Sequence, residues 1–124
     1  MRTIKFRGKT PDGIWVYGQY AGEFDNSNMG GFRGALILAP YATIVEPLTV
    51  GQFTGVTEKY GNKIYEGDIL QEIGSGKTVL VVYEAPQFCY ADNSFGYKLL
   101  NLPENYTVIG NIHDNPELLK GGTL

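Results

Sequence analysis

The sequence predicts a mainly β fold: a small antiparallel barrel-like or two-sheet domain of short strands, with one short C-terminal helical turn. Three observations carry this expectation. Polar and apolar residues alternate with a period of two from Thr3 to Arg7, as a half-buried strand requires. The 17 Gly and 6 Pro among 124 residues leave little sequence for long helices. The nine Tyr and six Phe gather with β-branched residues in runs of strand length, where a pleated surface favours them.

Taken in order, Thr3–Arg7 places Ile4 and Phe6 on one face and Lys5 and Arg7 on the other. Thr10-Pro11-Asp12-Gly13 supplies a turn, since Pro presets φ and Gly accepts a positive one. Ile14–Tyr20 returns as the second strand of a hairpin. Gly22–Gly34, with its Gly, Asn and Asp, reads as a surface loop or long hairpin tip. Ala35–Leu38 and Thr43–Glu46 are short strands ended by Pro40 and Pro47. Gln52–Val56, a polar turn at Glu58–Asn62, Lys63–Leu70 and Ile69–Ile73 follow. The Gly74-Ser75-Gly76 turn and Lys77–Glu84 complete a second hairpin, and Val79–Tyr83, apolar on both faces, belongs at the centre of a sheet. Phe88–Ala91 pairs with Tyr97–Leu102 around Asp92–Gly96, and Thr107–Ile112 closes the fold. In Asp114–Gly121, Asn115 is the expected cap, Pro116 the first helical residue, and at least one of Leu118 and Leu119 a core anchor.

Length and charge bound the function. A chain of 124 residues fits one domain, 1–124, able to bury roughly two-thirds of its unfolded surface. Ten basic against 13 acidic residues give a net charge of −3, which argues against a general phosphate-backbone binder. The single Cys excludes an internal disulfide framework and a cysteine-based zinc site, and fits a reducing compartment. No apolar run approaches the ~20 residues of a membrane span, and the start lacks a signal-peptide pattern, so a soluble cytosolic protein is expected.

The chemistry-bearing residues are few. His113 is the sole histidine and Cys89 lies far from it along the chain, so no catalytic residue is expected from a Ser-His-Asp or Cys-His arrangement. Glu66 and Asp68 are spaced for one face of a strand and raise a carboxylate-metal hydrolase as one alternative. Gly67 between them signals a turn, in which Asp68 bonds backbone N–H groups instead. Gly74-Ser75-Gly76-Lys77-Thr78 imitates a phosphate loop, yet Gln71 stands where the first Gly belongs and a strand follows. Arg2, Lys5, Arg7 and Lys9 form a possible basic stripe. With the aromatic residues it raises a second alternative, a nucleic-acid-associated small-barrel module around Gly67–Tyr83.

Three segments together carry a family resemblance: Lys5-Phe6-Arg7-Gly8-Lys9 with Trp15-Val16-Tyr17-Gly18; Val50–Gly55 with Gly61–Ile69; and Val108–Leu119. In order and at these distances they resemble the YopX family of small phage and prophage proteins, over almost the whole chain. Residues 22–44 and 75–102 depart from the family pattern, as does the turn at Glu58 and Tyr60. The resemblance implies a mainly β accessory protein encoded by phages or prophages, acting in the bacterial host cytoplasm and self-associating, with a phage or host protein as a further partner. It implies no reaction, cofactor, metal or membrane, and no catalytic residue can be carried over. The motif residues Trp15, Gln52, Phe53, Tyr65, Glu66, Gly67, Asp68, Gly110, Asn111, Asn115 and Pro116 read as architecture: glycines for backbone shape, and Trp15, Phe53 and Tyr65 for the core.

Overall fold

The computed structural model describes residues 5–84, 87–91, 97–99 and 105–119, with side-chain surroundings for 5–82 and 105–119. Eleven strands are described: β1 (Phe6–Lys9), β2 (Trp15–Asp25), β3 (Arg33–Leu38), β4 (Ala42–Val45), β5 (Gly51–Thr57), β6 (Lys63–Tyr65), β7 (Asp68–Glu72), β8 (Thr78–Glu84), β9 (Gln87–Ala91), β10 (Tyr97–Leu99) and β11 (Tyr106–Asn111). Helical structure among the described residues is confined to 3-10 turns, including Pro116–Leu119. Hydrogen-bonded neighbours run β4-β3-β2-β1-β5-β6 in one sheet and β10-β9-β8-β7-β11 in the other. Of the two sheet arrangements that the sequence allows, the structure adopts two open sheets rather than a closed barrel. The chain packs as two compact units, residues 1–53 and 54–124, and β5 runs across the boundary.

In the first unit the opening hairpin forms in the register Phe6↔Gly18 and Lys9↔Trp15. Its turn closes through Gly13 N–H donating to Thr10 O (2.9 Å) and Thr10 N–H donating to Ile14 O (2.8 Å). The second strand is longer than the sequence suggests. β2 continues through Gly22 to Asp25, so only residues 26–32 form the loop expected over Gly22–Gly34. A register shift between Tyr20 and Glu23, at Gly22 with φ +99°, lets pairing with β3 resume at Glu23↔Ala35. Phe24 sustains that extension, because its ring lies over Gly34.

The core of this unit is Ala35, Ile37 and Val45, with Phe6, Val16, Tyr20 and Val50 packed against it. β4 curls back over β1: a side chain at Gly8 would meet Val45 Cγ2 at 2.6 Å, and Glu46 N–H donates to Lys9 O at 2.8 Å. Arg7 keeps the face opposite Phe6 that alternation assigns to it, but it is covered there rather than open to solvent. It is only 6% exposed, with its guanidinium carbon 4.8 Å from the Trp15 ring centroid. Arg7 stands opposite Tyr17 and on the same face as Trp15, two register positions along, so its guanidinium lies over the Trp15 ring.

The second unit is built on β7–β8. Ile64, Leu70, Val79, Val81 and Tyr106 form its core, with Val56 and Val108 against it. Leu70 sits opposite both Val79 and Val108, so one apolar row crosses three strands. β8 is the central strand of five, as its two apolar faces predict. The Gly74–Gly76 segment is a hairpin turn: Gly76 N–H donates to Glu72 O (2.9 Å), and Ser75 Oγ donates to Glu72 Oε1 (2.6 Å). β9 pairs with β10 through Ala91↔Tyr97 and Cys89↔Leu99. The expected turn at 92–96, the extension to Leu102, Arg2, Thr3, Ile4 and the exit at Gly121 lie outside the described residues. Leu118 and Leu119 are both half-buried.

Candidate functional site

The motif residues of the second unit meet where β7 begins and β11 ends. Gly67 turns the chain with φ +93°, a conformation that strains any side chain, and its N–H donates to Val81 O (2.9 Å). Its carbonyl accepts from Ile112 N–H (2.9 Å), so one turn bonds to both neighbouring segments. Asp68 is 2% exposed, and its Oδ2 accepts from Tyr65 N–H at 2.8 Å. That is the turn-holding bond its spacing from Gly67 predicts. Tyr65 is buried and Glu66 half-buried beside it.

Asp68 stands opposite Asn111 in the β7–β11 register. Asn111 Oδ1 accepts from His113 N–H (3.0 Å) and Asp114 N–H (2.9 Å), which folds the chain sharply after the strand. Asn115 does not cap the following turn with its side chain. Its Oδ1 reaches back to accept from Asn111 N–H (3.3 Å), while its backbone carbonyl accepts from Leu118 N–H (3.0 Å). The expected cap is thus replaced by a bond that ties the last turn to β11. Gly110 makes room for it, since a Cβ there would lie 2.5 Å from Asn115 Oδ1. Pro116 opens the 3-10 turn in its expected place.

Asn115→Ala should therefore cost about 1 kcal/mol, and Asn115→Asp, which keeps an acceptor oxygen, much less. Amide exchange at Asn111 should accelerate in the Ala variant alone; equal urea midpoints for the two variants would refute the tie.

The motif residues of the first unit take separate places. Gln52 lies opposite Phe6, Phe53 N–H donates to Lys5 O (2.7 Å), and both side chains are half-buried. Trp15 is also half-buried, with Arg7 over its ring and Lys9 Nζ 6.0 Å from the ring centroid. Burial of Arg7 interrupts the basic stripe read from the first strand.

Sequence reasoning passed over Glu58. The carboxylate is 3% exposed and collects donors from two distant parts of its unit. Oε1 accepts from Tyr60 N–H (2.7 Å), Asn62 N–H (3.1 Å) and Asn62 Nδ2 (3.2 Å). Oε2 accepts from Thr107 Oγ1 (2.7 Å) and Val108 N–H (3.1 Å) on β11. Burial alone would push this carboxyl up. The bonds from Thr107 and from the amides of Asn62, Val108 and Tyr60 outweigh it and hold the pKa down to about 2. The partial signal in the sequence was Asn62-Lys63 after a Gly, which marks a turn; the half of the site on β11 left none.

Around this junction the side-chain oxygens of Glu58, Asp68 and Asn111 accept from several backbone N–H groups. Among the described residues no group of three or more His, Cys, Asp or Glu is placed to hold a metal ion. No helix among them is long and apolar enough to cross a membrane.

In fold, the chain is similar to the crystal structure of protein EF1440 from Enterococcus faecalis. The TM-score is 0.58 at 24% identity, over 96% of this chain and 99% of that one. No curated protein matches the chain. Residues 5–120 match the sequence model described as YopX protein, which takes in every motif residue of both units, and the chain accordingly belongs to the YopX family.

Proposed function

We propose that this is a non-enzymatic accessory protein of phages or prophages, working in the host cytoplasm by self-association and protein contact. One observation carries the reading: the outer face of the β2–β3–β4 sheet exposes several large apolar side chains. Leu36 lies opposite Ile44, and Leu38 opposite Gln19, two residues from Tyr17 on the same face. Phe24 lies over Gly34 and packs against Phe32 at 5.6 Å between ring centroids. Tyr17 is 46% exposed, Phe32 54%, Leu38 39% and Ile44 38%. Monomeric proteins seldom leave several large apolar side chains on one sheet face uncovered, and Tyr and Phe are favoured at subunit contacts.

The partner this reading assigns to the face is a second copy of the chain, in a closed symmetric arrangement that hides the face without open-ended growth. Light scattering at micromolar concentration, in low and high salt, tests it. An oligomer of the same mass in both buffers is expected, with Ile44→Lys shifting it toward the monomer. A monomeric mass in both would refute self-association, and dissociation in high salt would show that charge rather than apolar contact holds the assembly.

A further inference from the structure

We propose that Glu58 is an edge guard: its carboxylate occupies the bonding line of β11 that another strand would take, and so keeps that edge from pairing with a second chain. β11 is the terminal strand of its sheet, with β7 on one side. Unpaired N–H and C=O groups along such an edge are a template for strand addition, and proteins blunt them with charges, bulges or covering segments. Here Val108 N–H, a backbone donor of the edge, is taken by Glu58 Oε2 at 3.1 Å, and Thr107 Oγ1 by the same atom at 2.7 Å.

Further along, Asn111 N–H is taken by Asn115 Oδ1, so acceptors from two different turns sit on one edge. The register shift between Val108 and Gly110 further spoils the regular ladder an added strand would need. The guard cannot swing away freely, because its other oxygen is fixed by Tyr60 N–H, Asn62 N–H and Asn62 Nδ2 in its own turn. An incoming strand would also bring carbonyl oxygens against a buried anionic carboxylate. Association of this protein must therefore use a surface other than the β11 edge.

The test uses the full chain and three proteins: the parent, Glu58→Ala and Thr107→Val. In the parent, the Val108 amide should exchange slowly despite lying on an edge. In Glu58→Ala, its exchange should accelerate by about tenfold or more relative to the Leu70 amide, as loss of a bond to a charged acceptor implies. The same variant should gain mass with concentration and bind thioflavin T. Thr107→Val removes a donor but leaves Val108 bonded to Glu58, so its Val108 amide should stay slow; if Glu58→Ala does not fold, this variant and the parent decide. A parent Val108 amide exchanging as fast as an unprotected one would overturn the proposal. So would a folded Glu58→Ala variant with unchanged exchange and unchanged mass. The readout is the difference between variant and parent, so it stands whatever mass the parent itself shows.

Discussion

Acidification from pH 6 to pH 3 should destabilise this protein by about 2 kcal/mol through Glu58 alone. Its carboxyl is held at about 2 in the folded chain against an ordinary value of 4.5. The unfolded chain therefore binds the proton first as the pH falls. The contribution is full above about 4.5 and drains away as the pH drops toward 2. Glu58→Gln keeps the shape but loses the charge, and one of its two polar atoms must face donors. It should be less stable than the parent at neutral pH and show a flatter pH dependence below 4.5. Urea midpoints from pH 7 to pH 3 check both expectations. Parallel pH profiles for parent and Glu58→Gln would show that Glu58 carries none of the acid sensitivity.

Replacing Asp68 by Leu should cost about 3 kcal/mol or prevent folding, whereas Asp68→Asn should cost about 1 kcal/mol. The residue is 2% exposed, and Oδ2 holds Tyr65 N–H across the Gly67 turn. Leucine leaves that buried donor unsatisfied and forces a larger apolar side chain into a site shaped for a carboxylate. Asparagine keeps one acceptor oxygen of nearly the same shape. Equal losses for the two would mean that packing rather than hydrogen bonding decides the site. A well-folded Asp68→Asn that had lost a bound ion or an activity would instead overturn the architectural reading of the Glu66–Asp68 step.

The turns explain which parts of the second-unit junction were legible. Gly67-Asp68 was readable because a Gly followed by an Asp at a strand start has a local solution: the side chain bonds backbone N–H groups within three residues. Asn115-Pro116 was readable only in part. Proline did mark the start of a turn, but Asn115 Oδ1 accepts from the amide of Asn111 on the preceding strand. Local capping preference gave way to a donor brought close by the fold. Glu58 was not readable as a site, because two of its donors lie about fifty positions away, on β11.

The sequence by itself determined the strand-rich class, most strand positions, the two hairpin turns and the central place of β8. These follow from periodicity, from Gly and Pro chemistry, and from apolar runs, all local quantities. The tertiary structure alone decided that the sheets stay open, and that β2 continues past Gly22 because a bulge restores its pairing with β3. It also covered Arg7 with the Trp15 ring and brought Glu58 onto the β11 edge. Each of these rests on groups distant in sequence meeting in space, where a buried charge is stable only when donors or an aromatic face are already in position around it.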